Sequence, residues 1–446
     1  MAENEGLNGY KCGMKDFLKA VRRSLLLVSN YDMLVEIGKV GEYAEASEEE
    51  QYNNGLDMVR HPLLVVGLPG VGKTMGIRGV IKSINQDLKK KGVVDKKTGE
   101  LIQFGFKSIS LGALQVGELS GIPVPTTNGD VVRLQVPDLP KLEEDGEYGV
   151  LFLDEITTTD VFQVQPALGL ADGTRSIGTY TLPEHWIVIG AGNGPECTNF
   201  VRADDMTLTR FRGFELVPNY FTDWKPYALA SGIDDMTVAF LDFAPDRYVN
   251  IESTDEDIAG KYFATARTWE TYSHILRQTK ILLGQNNLDL EEIQALGCQS
   301  VGENMAREFT SFSAFAKTLK YDPDKIIEGK ENKIELSVAK ETLHILCASC
   351  CKKLDSIITG AIDSVGDYRE IAFTSLANVV SWFLESEDLD AKINVIATLF
   401  TVPSINKMLA ENRDIFTSMF CPEFGDFLDT YATQILRITE NNVLEN

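Results

Sequence analysis

The apolar positions of this chain fall into two rhythms. Short unbroken runs, at Leu63, Leu64, Val65 and Val66, at Val150, Leu151, Phe152 and Leu153, and at Trp186, Ile187, Val188 and Ile189, are too short for helices and read as buried strands. Elsewhere apolar residues recur at helical spacing. Phe17, Leu18, Val21, Leu25 and Val28 predict an N-terminal helix, and Ile77, Val80, Ile81 and Ile84 predict a second one behind the first strand. Residues 101–109 alternate in part and read as the second strand. Residues 111–119 look helical until Gly121, Pro123 and Pro125 interrupt the pattern. Asn128 and Asp130 mark the tip of a hairpin-like excursion flanked by Val131, Val132 and Leu134, and residues 172–183 read as another hairpin. Phe214, Glu215, Leu216 and Val217 supply a last core strand.

Beyond Asp223 the rhythm is helical throughout, over residues 224–231, 237–243 and 267–281. Leu354, Ile357, Ile358, Ala361, Ile362 and Val365 form one amphipathic stripe; Val379, Val380, Phe383 and Leu384 repeat the habit, as do Ile393, Ile396, Ala397 and Phe400. Strands alternating with helices, followed by helices alone, predict an α/β fold: a parallel sheet flanked by helices, then an α-helical C-terminal region. No repeat of fixed period runs through the chain.

Composition sharpens this picture at three points. A chain of 446 residues has room for more than one domain, and its 44% apolar and 24% charged content is that of a soluble globular protein. The formal charge of −24 makes nucleic acid an unlikely partner, since duplex binding through phosphates needs basic surface. Lys89, Lys90 and Lys91 read as a solvated loop face instead. No apolar run approaches the roughly 20 residues of a membrane span, and the N-terminus carries no signal-peptide pattern, so a cytoplasmic location is expected. The seven cysteines are odd in number and lack a disulfide framework. Cys347, Cys350 and Cys351 cluster beside His344, but no second Cys/His pair stands at zinc spacing, and they read as buried thiols.

The chemistry gathers at residues 67–74, Gly-Leu-Pro-Gly-Val-Gly-Lys-Thr. This fits the phosphate-loop pattern at every fixed position, and it lies between a strand and a helix as that pattern requires. In the loop formed by Gly67, Pro69, Gly70, Val71 and Gly72, the glycines would let backbone N–H groups turn toward phosphates, at the positive end of the helix. Lys73 would reach the β- and γ-phosphates, and the Thr74 hydroxyl would ligate Mg²⁺. The strand at residues 149–153 delivers Asp154 and Glu155, the Walker B arrangement. There Asp154 stands beside Mg²⁺ and Glu155 orients or deprotonates the attacking water. The strand at 186–191 ends at Asn193, whose amide could position the same water. A nucleoside triphosphate, ATP with Mg²⁺, is the expected ligand.

Phosphate loop, Walker B, strand-end Asn and then Arg-Phe is the order found in AAA+ ATPases. The stretches at 117–125, 173–183 and 190–193, with Leu208-Thr209-Arg210-Phe211 and Ala264-Thr265-Ala266-Arg267-Thr268-Trp269, resemble the MoxR-like branch of that superfamily. The resemblance covers roughly residues 61–280. It implies a hexameric or similar ring with ATP at the subunit interfaces. It also implies an insert in the second helix at residues 128–130 and a hairpin at 175–182 before the sensor strand. Asn193 falls on sensor 1, Arg210 on the arginine finger, with Arg212 as its rival, and Arg267 on sensor 2. The family's Asn-Pro is Asn193-Gly194-Pro195 here, and its Thr-Pro-Arg is Thr265-Ala266-Arg267, departures that touch loop geometry while leaving the polar residue in place.

The domains expected on this reading are an N-terminal extension and acidic linker at 1–60, with residues 1–12 polar and loose and an acidic connector at 40–55. The AAA+ nucleotide-binding core follows at 61–220, a helical lid at 221–281, and an α-helical C-terminal region at 282–446. The expected function is ATP hydrolysis coupled to remodelling or maturing a protein client, and the family suggests a von Willebrand factor A-type partner. Alternatives are a nucleic-acid-directed motor or loader and a slow nucleotide-dependent assembly switch. An intact Asp154–Glu155 pair favours hydrolysis over a pure switch.

Overall fold

The computed structural model describes residues 10–30, 55, 59–95, 98–115, 117–125, 127–128, 130–134, 138–194, 197, 209–249, 263–284, 288–316, 320–331, 333–334, 338–362, 368–386, 388–402, 404–405, 407–408 and 430. The acidic connector at 40–55 lies almost wholly outside them, as do Leu208 and Pro195. The chain divides into two compact units, Met1–Pro218 and Asn219–Asn446.

The first unit is built on a six-stranded parallel sheet. In chain order its strands are β1 (Tyr10–Cys12), β2 (Leu63–Val66), β3 (Gly105–Ser110), β6 (Tyr148–Asp154), β9 (His185–Gly192) and β10 (Arg212–Leu216); across the sheet the order is β1-β10-β2-β9-β6-β3. Two antiparallel ribbons stand apart from it: β4 (Ile122–Pro125) with β5 (Val131–Leu134), and β7 (Ser176–Ile177) with β8 (Tyr180–Thr181). Both excursions expected from sequence are therefore hairpins. The stretch at 111–119 is not the helix its pattern suggested: it holds a single 3₁₀ turn, Leu111–Ala113. Gly117 and Gly121 have φ of 94° and 88°, a left-handed backbone that ends helical continuation. The second strand also starts later than the alternation implied, at Gly105.

Alternation along each strand loads both faces of the sheet. Leu63, Val65, Val150, Phe152, Ile187 and Ile189 face one way. Onto them pack α1 (Met14–Ser29), through Phe17, Val21 and Leu25, and α2 (Lys73–Lys91), through Ile77, Ile81 and Ile84. Leu64, Val66, Leu151, Leu153 and Val188 face the other way, against Ala167, Leu168 and Leu170 of α4 (Val161–Ala171), which follows the short α3 (Leu142–Asp145). Burial on both faces is why these strands read as continuous apolar runs. Each such side chain contributes about 1.5–3 kcal/mol relative to exposure.

The N-terminus departs from expectation. Residues 10–12 are not loose but form β1, which pairs in parallel with β10, with Lys11 opposite Glu215 and joined to it by a 3.3 Å ion pair. α1 is tied to α2 by Arg22 and Asp87 at 2.6 Å; the hydrogen bond from Arg22 holds the Asp87 carboxyl below its usual range.

The second unit is helical: α5 (Lys225–Ala230), α6 (Asp235–Phe243), α7 (Ala266–Leu283), α8 (Leu290–Cys298), α9 (Glu303–Ala316), α10 (Pro323–Ile327), α11 (Lys340–Ile362), α12 (Tyr368–Leu384) and α13 (Leu389–Thr401). It opens on a π-helical turn, Tyr220–Trp224. α11 is buried on both sides. Ile345 and Ala348 join one core with Trp269, Tyr272 and Phe309, while Leu346, Cys350 and Leu354 join another with Phe373 and Val379. The cysteine cluster lies in this helix as buried free thiols, and burial pushes the Cys350 thiol well up. No helix among the described residues is long and apolar enough to cross a membrane.

Candidate nucleotide site

The order of the sheet singles out one edge. The chain runs from β2 through β3, β6 and β9 on one side, then crosses β2 to place β10 on the other. In open α/β sheets such a switch point, at the carboxyl ends of the strands, is where ligands bind. The loop that leaves β2 there is residues 67–72.

This loop is shaped by its glycines. A Cβ at Gly67 would lie 2.9 Å from the Leu216 Cβ, so β10 approaches too closely for any side chain. Gly72, with φ of 94°, is the N-cap of α2, and no side chain caps this helix end. Its first turn also lacks acidic residues. A 19-residue helix with such an end presents backbone N–H groups and positive dipole to an anion. The Lys73 ammonium folds back over the loop and donates to the carbonyls of Gly67 at 2.8 Å and Leu68 at 3.0 Å. Thr74 stands half-buried beside it. The open loop, the uncapped helix and the ammonium fit a polyphosphate.

Three strand ends are laced together at this edge. β9 lies between β2 and β6, with Val66 opposite Gly192 and Leu153 opposite Gly190. The Gly67 N–H donates to the Gly192 carbonyl at 3.3 Å, and the Ile156 N–H donates to the Ala191 carbonyl at 2.9 Å. The Thr157 hydroxyl donates to the Asn193 carbonyl at 2.8 Å. Lys73, Asp154, Glu155 and Asn193 thus arise from adjacent strands of one sheet edge.

Glu155 is held in an unusual backbone. Its φ is 66°, a left-handed conformation that costs a non-glycine residue about 1–3 kcal/mol. The turn fixes it: its N–H donates to Asp154 Oδ1 at 3.0 Å, and its carbonyl accepts from the Thr158 N–H at 3.2 Å and the Thr159 hydroxyl at 2.6 Å. The carboxylate is exposed and accepts a short hydrogen bond from the Ser110 hydroxyl. Sequence reasoning missed Ser110. Its signal is register: Ser110 ends β3 directly opposite Asp154.

Arg210 and Arg212 lie elsewhere in the first unit. Arg212 is opposite Leu63, so Arg210 and Arg212 stand where β2 begins, whereas the loop at residues 67–72 starts where it ends. The strand between spans about 10 Å. Arg212 donates to the Ser24 hydroxyl at 2.8 Å and to the His61 carbonyl at 3.0 Å, which ties α1 to the sheet. Arg210 is half-buried, with Nε 4.0 Å from Asp172 Oδ2. Arg267 belongs to the second unit, exposed in the first turn of α7, whose N-terminus is closed by a Thr265–Thr268 capping box.

No protein-family model matches the sequence, and no curated protein matches it. Solved structures do. One is a candidate ATPase from Cytophaga hutchinsonii, at 13% identity over 90% of this chain and 97% of that one, with a TM-score of 0.24. Another is Hsp104 in its closed state with ATPγS and FITC-casein, at 15% identity over 71% of this chain and 46% of that one, with a TM-score of 0.28. A third is the FIGL-1 AAA domain in complex with ADP, at 16% identity over 69% of this chain and 88% of that one, with a TM-score of 0.28.

Proposed function

We propose that this chain is an AAA+ ATPase of the MoxR-like type, which assembles into a ring and uses ATP hydrolysis to remodel a protein client. The single observation that carries the reading is the convergence of the phosphate loop, Asp154, Glu155 and Asn193 on one edge of the sheet, at its topological switch point. The loop N–H groups and Lys73 hold the β- and γ-phosphates. Thr74 and Asp154 would hold Mg²⁺, which would supply positive charge to offset that developing on the phosphates. Glu155 orients a water in line with the γ-phosphorus and takes its proton as the new P–O bond forms and the bridging P–O bond to ADP breaks. The strained turn and the Ser110 hydroxyl keep that carboxylate aimed. Asn193 holds the water or the γ-phosphate from the strand between.

The protein client, a von Willebrand factor A-type partner and the sensor role of Arg267 follow from the resemblance and belong to the same proposal. Calorimetry on paired variants tests its foundation. Lys73→Ala should lose tight ATP binding, and Glu155→Gln should keep it while hydrolysis falls by about a hundredfold or more, in the range of general-base loss. Near-parental ATP affinity in Lys73→Ala, or near-parental turnover in Glu155→Gln, would overturn the assignment.

A further inference from the structure

At the opposite edge of the sheet, where β6 and β9 begin, Glu147, Glu184 and His185 converge. Each offers one ligand atom, and these atoms all lie within 4.8 Å of one another. The His185 imidazole is almost wholly buried, with Nδ1 3.2 Å from Glu147 Oε1, while both glutamates reach partly into solvent.

The scaffold around the three is rigid. Tyr148 is opposite His185 in the β6–β9 ladder, and the two rings stack at 4.5 Å and 14°. The Tyr148 hydroxyl is itself anchored, donating to buried Asp95 at 2.6 Å. The backbone on either side is pinned as well. Arg60 Nη1 donates to the Glu184 carbonyl at 2.9 Å, and Trp186 Nε1 donates to the Gly146 carbonyl at 3.0 Å. The imidazole is therefore fixed in place, and only the glutamate side chains need to adjust.

We propose that Glu147, Glu184 and His185 form a binding site for a borderline divalent transition ion, with Zn²⁺ the best fit. Ligand atoms about 2.0–2.2 Å from a tetrahedral zinc stand about 3.3–3.6 Å apart. The Glu147–His185 separation is already close to that distance, and turning two partly exposed glutamates closes the rest. An imidazole nitrogen with two carboxylate oxygens suits zinc, cobalt or manganese, whereas Mg²⁺ and Ca²⁺ prefer oxygen alone. Water fills the remaining coordination. The ion would neutralise two carboxylates that immediately precede neighbouring strands and clip β6 to β9, the strands that lead to Asp154 and Asn193 at their far ends. β6 spans seven residues, roughly 20 Å, so this site is separate from the nucleotide edge and does not depend on its assignment.

The experiment uses the full chain, stripped with chelator and free of nucleotide and Mg²⁺. Co²⁺ titration should give one ion per chain, with visible d–d absorption and no thiolate charge-transfer band, and Zn²⁺ should displace it. Zinc should raise the melting temperature of the parent. Glu184→Gln, a change at a partly exposed position, should weaken zinc at least as much as outer ligand-shell changes do, about 10–100-fold, and His185→Gln should abolish the site. Lys73→Ala should bind the ion as the parent does. Cobalt spectra with a thiolate band, zinc affinity undiminished in both Glu184→Gln and Glu147→Gln, or no uptake at micromolar metal would each overturn the proposal.

Discussion

A Cβ added at Gly112 would fall 2.6 Å from the Glu155 carboxylate oxygen. The obstructed atom is the tip of a flexible, exposed side chain, so folding should absorb the change within about 0.5 kcal/mol, as exposed substitutions usually do. Aim is another matter. A displacement of about 1 Å can cost roughly a hundredfold in a positioned reaction. Gly112→Ala should therefore keep its ATP affinity and melting temperature but lose about 10–100-fold in turnover, measured by phosphate release. At the same scale, burial lowers the pKa of His61 and of His344, and the Arg212 charge lowers that of His61 further. Both imidazoles stay neutral in the folded chain at pH values where the unfolded chain, with pKa near 6.5, takes up protons. The unfolded state then binds more protons, so stability falls as pH drops below about 6.5. Melting temperatures of the parent should decline from pH 7.5 to 5.5, and the decline should be shallower in His61→Gln and His344→Gln.

Among elements, the second unit holds a buried ion pair between helices. Lys225 of α5 is about 1% exposed, its Nζ 2.9 Å from Asp242 Oδ1 of α6 and 2.5 Å from the Thr398 hydroxyl of α13, with the Tyr220 hydroxyl donating to Asp242 at 2.8 Å. Lys225→Ala leaves Asp242 buried without its cation and should cost about 3–5 kcal/mol, read as a fall in the urea midpoint. Lys225→Met with Asp242→Leu should recover much of that loss, because no charge then remains to desolvate. This ion pair had no signature in the sequence, since α5 and α6 read only as apolar rhythm. What was legible had local causes. Strands buried on both faces, β2, β6 and β9, announced themselves as apolar runs, and the tight loop between β2 and α2 announced itself by glycine spacing. Pairings between distant segments left no such mark. Tyr10, Lys11 and Cys12 look like a polar tail until β10 supplies a partner, and Ser110 matters only because register sets it opposite Asp154. The three metal-site candidates are likewise joined by the pairing of β6 and β9, at no spacing that a linear search would recognise.

For the molecule as a whole, the arginines raise a question of assembly. Arg210 stands at the edge where β2 begins, and the phosphate loop at the edge where it ends, so Arg210 is poorly placed to reach a phosphate on its own loop. Arg212 is tied to Ser24 and His61 of its own chain and Arg210 lies beside Asp172, and it is the family resemblance that places the finger at Arg210. The prediction follows from this geometry together with the ring proposed above. Assembly should respond to nucleotide, so light scattering of Glu155→Gln should show larger species with ATP than without. Arg210→Ala should bind ATP yet hydrolyse it about a thousandfold more slowly, the scale of a supplied arginine in other phosphate-loop enzymes. Glu155→Gln should also be inactive, for a different reason, since its water is not activated although its arginine is intact. Mixing the two inactive proteins creates interfaces that join a working Glu155 on one subunit to a working Arg210 on the next, and phosphate release should partly return. A mixture shown to co-assemble but still inactive would count against action between neighbours. Rescue obtained with Arg212→Ala in place of Arg210→Ala, alongside an active Arg210→Ala protein, would move the role two residues along the chain.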